Sequence, residues 1–408
     1  MATQPIDDQF GFDPKDTASA KDPALMDKIR NSKPVSRPAA DLVLATGWTE
    51  TRAVFGDMEK FSSVGDFRAP GVVMPTEESF LGELDAPLHP KIRAVLLRAF
   101  TPKQALAAEG WAREFVRQRL QDLAKAGGGD LMKVLATPAP GSVTAHVMGI
   151  PDSLHEEIMD WCSQLLHSTW PALGKTERGP GIAGGFPELA ALLDDLIDAR
   201  VQAGANAPDD VITTMVNTRD ADGWSIGTHH IRTLMVNMLA GSLSATYMIG
   251  NLAYRFVKDP AFQQQLRAQP ETIPNAVEES LRVEPPVAFL YRTALEDVKL
   301  GGCPIAKGEH VMLNILAAQR DPAIFPDAGS FRLDRENPRN HIAFGYGPHI
   351  CLGNHLTRMI GRVILEELIA CFPAGSLSLA PGFVWQCVDH PMEYGPERLD
   401  LVVERTQR

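Results

Sequence analysis

Residues 228–258, THHIRTLMVNMLAGSLSATYMIGNLAYRFVK, constrain the fold more than any other stretch. About thirty residues read as one helix would span ~45 Å at 1.5 Å per residue, enough to cross a whole domain. Between 234 and 252 the apolar side chains lie on nearly every side, so this helix needs burial all round. Other helices must therefore cover it, and amphipathic patterns supply them. In 102–125, Ala105, Leu106, Trp111, Phe115, Leu120 and Leu123 recur near a 3.6-residue repeat, with charges between. Similar stretches cover 153–169, 187–203 and 271–282. Strand patterns concentrate at 296–316, where Val298 and Leu300, then Val311, Leu313 and Ile315, alternate around glycine turns, and at 399–404. The glycine run at 126–130 reads as a plain connection, and 174–187 as a surface loop or a lid between two helices. The pattern predicts a mainly α fold with a minor β region. It reads as one large domain over 1–408, with 1–20 as a loosely ordered arm.

Composition narrows the function. The 39 basic and 51 acidic side chains leave a net charge of −12, which argues against a general nucleic-acid binder. The polar, acidic N-terminal stretch has no apolar signal region, and nothing approaches the about 20 apolar residues of a membrane span. A cytoplasmic protein with no membrane anchor is the expectation. Five cysteines, at 162, 303, 351, 371 and 387, form no CxxC pair and suggest neither a disulfide scaffold nor a structural zinc site.

The densest chemistry lies in HIAFGYGPHICLGNHLTRMIGRVILEELIACF, 341–372. Glycines and a proline surround Cys351, and an amphipathic helix begins just beyond it. Glycines permit tight turns and close backbone approach to something bulky. A cysteine ahead of a helix N-terminus meets unpaired N–H groups and the positive end of the dipole, which favour thiolate. Two metal readings follow. His349, Cys351 and His355 are fragments of a zinc site without a fourth ligand at sensible spacing. The other reading is a thiolate on haem iron.

At this point the chain resembles the cytochrome P450 family. Phe344, Gly345, Gly347, His349, Cys351 and Gly353 match its Phe-Gly-x-Gly-x-His-x-Cys-x-Gly signature at every fixed position. Glu279 and Arg282 resemble the family's Glu-x-x-Arg motif. The segment 331–335 resembles the one whose arginine joins that pair, Arg332 and Arg335 both being candidates. The resemblance, over roughly 80–405, implies the family's fold and a soluble bacterial-type haem monooxygenase. Haem b would be bound with Cys351 as the metal ligand and Phe344 and Gly353 beside it. His89, Arg93, Arg292 and His349 would receive the two propionates, as buried carboxylates require cationic and N–H donors.

One motif departs from the family. Where it has an acid–alcohol pair that delivers protons to dioxygen, this chain reads Ala240-Gly241-Ser242-Leu243-Ser244-Ala245-Thr246, with Leu243 in the acid's place and Ser244 in the alcohol's. Ser244 and Thr246 are the candidate catalytic hydroxyls. Water held by Ser242, Ser244 and Thr246, or a polar group on the substrate, can stand in for the acid. A peroxide-driven enzyme and a non-catalytic haem- or ligand-binding protein are the alternatives. Segments resembling the pocket walls carry Val72, Val73, Met74, Phe80, Trp170, Leu239, Leu243, Val287, Phe289 and Leu290, implying a neutral, hydrophobic small-molecule substrate. The resemblance further implies a separate ferredoxin or flavodoxin with its reductase. It would be steered by Arg98, Lys103, Arg113, Arg117, Arg358 and Arg362.

Overall fold

The computed structural model describes residues 10–13, 16–65, 68 and 72–404. Of the expected N-terminal arm, residues 1–9, 14 and 15 lie outside this range. Phe12 and Ala20 are buried in a cluster with Met26, Ile29, Leu44 and Phe289. A five-stranded sheet is built from β1 (Val35–Ala39), β2 (Leu42–Ala45), β3 (Phe61–Ser62), β4 (Phe289–Ala294) and β5 (His310–Asn314). Its order is β1-β2-β5-β4-β3, with only the β2–β5 pair parallel. Val311 on β5 pairs with Arg292 on β4, which fixes where Arg292 emerges.

The helical part includes α1 (Leu88–Leu96), α2 (Pro102–Ala126), α3 (His155–His167), α4 (Pro187–Ala203), α5 (Thr228–Gly241), α6 (Ser244–Lys258), α7 (Ile273–Val283) and α8 (Asn354–Cys371). Local chemistry sets the limits of α2. Thr101 accepts a hydrogen bond from the Gln104 amide, Pro102 sits in the first turn, and Gly127 closes the helix with φ +78°. Its buried stripe is Ala105, Ala108, Ala112, Val116, Leu120 and Leu123. Leu106, expected inside, is exposed. The small alanines let α8 lie close along α2.

The single long helix expected over 228–258 is in fact two, α5 and α6, separated at Ser242 and Leu243. The Ser242 hydroxyl donates to the Leu239 carbonyl at 2.6 Å and that of Ser244 to Gly241 at 3.1 Å. Amides of Leu243, Ala245 and Thr246 bond three residues back instead of four. Serine hydroxyls that compete for backbone carbonyls, beside a glycine, bend helices in this way. Two other expectations change. Gly128–Asp130 is a strand paired with Asp400–Val403, not a plain connection. The segment 174–187 carries a short hairpin, Lys175–Thr176 with Gly179–Pro180, and a helical turn, Gly181–Gly185.

One buried ionic group joins helix to loop. The Glu279 carboxylate receives Arg282 Nε and Nη2 at 2.8 and 2.7 Å, and both residues are fully buried. The remaining Arg282 donors reach the carbonyls of Gln319, Ala328 and Ser330, so all five are satisfied. Arg335 Nε lies 3.0 Å from both Glu279 oxygens. Arg335 is thus the side-chain partner left open between two arginines. Arg332 contributes only its backbone amide, its guanidinium facing Asp327 and Asp334. Removing one side of a buried ion pair typically costs ~3–5 kcal/mol. Glu279→Ala is therefore expected to lower unfolding free energy in urea by about that amount, and a loss under ~1 kcal/mol would contradict this role.

Candidate functional site

The loop before α8 is a tight structure. The Cys351 amide donates to the Phe344 carbonyl at 2.8 Å, closing a turn that contains Gly345 and Gly347, both with φ above +70°. A Cβ on Gly347 would meet the Phe55 carbonyl at 2.9 Å, so a side chain there would push the loop off the neighbouring helix. Asn354 Nδ2 holds the Cys351 carbonyl at 2.7 Å. Glu278, next to the buried Glu279, grips both flanks: His341 Nε2 at 2.8 Å before the loop and Arg358 Nε at 2.7 Å after it. Burial alone would push the Glu278 carboxyl up, but His341 and Arg358 outweigh it and hold it at about 2. Gln319 ties the loop's start to α7, accepting from the Ile342 amide and donating to the carbonyls of Leu281 and Arg282.

Around the sulfur the structure gathers basic groups. The His89 and His349 rings stack with centroids 3.8 Å apart. Arg93, one turn after His89 on α1, reaches the Ile350 carbonyl at 2.5 Å. Its charge acts on both His349 and Cys351, and Arg292 adds to the field at His349. Among the described residues no carboxylate pairs with Arg93. Burial, then neighbouring cations, lower His89 to about 4 and His349 to about 3. The His89 Nε2 atom is buried, and among the described residues it has no hydrogen-bond partner. His349 Nε2 has only a long contact, 3.4 Å, with Ser63 Oγ. Such a concentration of donors is suited to a dianion bearing two carboxylates. Haem meets that requirement, with the sulfur nearby.

The thiol itself departs from expectation. Burial pushes Cys351 up, while the Gly353 N–H, Arg93 and Arg358 pull the other way without prevailing. A buried sulfur anion is unfavourable until a metal shares its charge. Among the described residues no three His, Cys, Asp or Glu side chains converge as a metal site, so His355 adds nothing to Cys351 and His349.

The candidate hydroxyls separate. Ser244 sits at the break, where Gly241 is exposed and Ser242, Leu243 and Ser244 are partly accessible, although Leu239 and Met248 are fully buried. Thr246 is buried, and among the described residues its hydroxyl has no partner. Two residues along a helix it points about 200° away from Ser244, so the two cannot serve one site. Neither hydroxyl bonds to the basic cluster.

Other expectations also move. Phe289 packs in the cluster of Phe12 and Ala20, Trp170 and Leu239 lie in the main core, and Val73 is 82% exposed, so none of these lines an open pocket. Arg113, Arg117 and Arg362 are neutralised by Glu109, Glu114, Glu366 and Glu367, and Arg358 by Glu278. Arg98 and Lys103 are exposed, and among the described residues neither has an ion pair. Sequence reasoning missed Glu278, Gln319 and Ser63; only the Glu278-Glu279 doublet offered a signal.

A family model described as Cytochrome P450 matches residues 74–375. The chain is 31% identical to mycinamicin IV hydroxylase/epoxidase of Micromonospora griseorubida over 86% of its length and 88% of that protein's. It is 28% identical to 6-deoxyerythronolide B hydroxylase of Saccharopolyspora erythraea, covering 90% and 92%. The crystal structure of CYP109E1 from Bacillus megaterium in complex with corticosterone superimposes with a TM-score of 0.81 at 25% identity, covering 95% of this chain and all of that one.

The depressed imidazoles give a pH prediction. Between about pH 6.5 and the folded values near 4 and 3, the unfolded chain binds protons that the folded chain refuses. The ligand-free protein therefore loses stability as pH falls through this window, and His89→Gln should make that loss shallower. Urea unfolding at pH 7 and pH 5 measures it; an unchanged difference between the two pH values would contradict the assignment.

Proposed function

This chain belongs to the cytochrome P450 family and is a monooxygenase, and we propose that it inserts one oxygen atom from O2 into a hydrophobic small organic substrate with haem b held by Cys351. The observation that carries the site assignment is the convergence of His89, Arg93 and Arg292 on His349, two residues before Cys351, with Arg93 also acting on the cysteine. In this reading the four basic side chains receive the two haem propionates, giving buried carboxylates the donors they need. Bound haem supplies the redox chemistry that activates dioxygen. The Gly353 N–H, Arg93 and Arg358 favour the anionic sulfur, and Glu278 fixes the loop that presents it. Substrate names among the relatives, mycinamicin IV and 6-deoxyerythronolide B, and the corticosterone of the structural neighbour support an organic substrate.

Ser244 is the proton-bearing hydroxyl at the helix break. With Leu243 beside it no carboxyl can reload that proton from the same turn, so water or a polar group of the substrate must do so. Leu243 equally favours a peroxide-driven reaction, in which the oxidant brings its own protons. Electrons otherwise come from a separate ferredoxin or flavodoxin, with the exposed Arg98 and Lys103 as cations that would steer it. No helix among the described residues is long and apolar enough to cross a membrane.

Cys351→Ser is expected to abolish product formation and the thiolate-type band of the reduced, carbon-monoxide-bound protein; retention of both would sink the assignment. Ser244→Ala is expected to send more reducing equivalents to hydrogen peroxide with NAD(P)H and ferredoxin, leaving peroxide-supported turnover intact. Unchanged coupling would remove Ser244 from proton delivery.

A further inference from the structure

Among the described residues the Glu393 carboxyl has no hydrogen-bond or ion-pair partner. Residues 392–394 run beside 286–288. The Ala288 amide donates to Met392 at 2.8 Å and the Tyr394 amide to Pro286 at 2.9 Å, and Val287 bridges Glu393 antiparallel. Extended backbone sends successive side chains to opposite faces. Met392 and Tyr394 both pack against the cluster of Phe12, Ala20, Phe289 and Leu316. Glu393 therefore points the other way, on the face of its bridge partner Val287.

That face adjoins an apolar cluster that reaches the cysteine loop. Val287 packs against the cluster containing Phe55 and Ile342. Phe55 lies under the Arg292 guanidinium at 5.3 Å and abuts Gly347 of the cysteine loop, and Ile342 opens that loop. On the opposite side the segment meets α6, since a Cβ on Gly395 would fall 2.6 Å from the Tyr247 Cβ. Tyr247 follows Ser244 by three residues, the spacing that puts two side chains on one helix face. Glu393 thus stands between Val287 and the Ser244 face of α6.

Among the described residues, no hydrogen bond or ion pair engages the Glu393 carboxyl, and its Oε2 is buried without a partner. Lys21, the cation that acts on it, already donates to the carbonyls of Val388 and His390 at 2.9 and 2.8 Å. Burial pushes the carboxyl up to about 8. A buried carboxylate oxygen without a donor is costly, which a ligand that donates to it relieves.

We infer that Glu393 is a substrate anchor, and that the substrate is a hydrophobic molecule carrying a protonated amine that donates to this carboxylate. An ammonium supplies both the missing donor and the counter-charge, whereas a hydroxyl supplies only the donor. This assignment rests on the reading of the Cys351 region as the haem and substrate site. It replaces the neutral substrate suggested by the apolar wall residues.

The test uses the haem-loaded protein and two tertiary amines, N,N-dimethylphenylbutylamine and N,N-dimethylphenylhexylamine, whose methyl groups hinder binding to iron. Each is compared by equilibrium dialysis with the hydrocarbon in which CH replaces nitrogen. The wild type is expected to bind at least one amine about tenfold tighter than its isostere, and Glu393→Gln should erase that preference while leaving isostere affinity unchanged. Glu393→Val, matching the apolar character of Val287, provides a second variant should the glutamine protein fold poorly. Equal binding of amines and isosteres by the wild type, or a preference that survives both substitutions, overturns the inference. Dialysis detects binding whether or not the haem spectrum responds. A wild type lacking a thiolate-type band would therefore defeat the haem reading separately.

Discussion

Two adjacent glutamates on α7 hold the architecture of the site. Neighbouring residues on a helix point about 100° apart, so Glu278 and Glu279 address different parts of the chain. Glu279 binds Arg282 and Arg335, clamping the segment 328–335 to the helix. Glu278 holds His341 and Arg358 on either side of the cysteine. Both carboxylates are buried, and burial of charge is tolerated only when every partner is in place. The loop's position thus depends on a fully satisfied network instead of on apolar packing, which tolerates small slips more readily.

Against that rigid frame, the neighbourhood of Cys351 is electrostatically incomplete. Two stacked imidazoles lie in the field of two guanidiniums, and burial with those cations keeps both imidazoles neutral to low pH. The sulfur is disfavoured as an anion by the same burial. A single group that carries two carboxylates and a metal resolves both deficits at once. In this account haem is the part around which the donors are arranged, and the frame on α7 fixes the loop that carries His349 and Cys351.

Much of this was legible in the sequence. The apolar stretch 228–258 announced a buried central helix, the repeats at 102–125 and 271–282 located α2 and α7, and the spacing around Cys351 identified the loop. What escaped depended on side chains finding partners in three dimensions. The break at Ser242 and Leu243 arises from hydroxyls competing for carbonyls, which apolar periodicity does not register. The choice of Arg335 over Arg332 depends on which guanidinium faces inward. The arginines of α2 and α8 looked free until their glutamates were seen beside them. Glu393 was indistinguishable from a surface acid because its lack of a partner is a property of the fold.

The central claim is that the Cys351 sulfur is bonded to haem iron. X-ray absorption at the iron edge of the purified, haem-loaded protein tests it most directly. One sulfur in the first coordination shell, beside the porphyrin nitrogens, is the predicted result. A shell composed only of nitrogen and oxygen would contradict it.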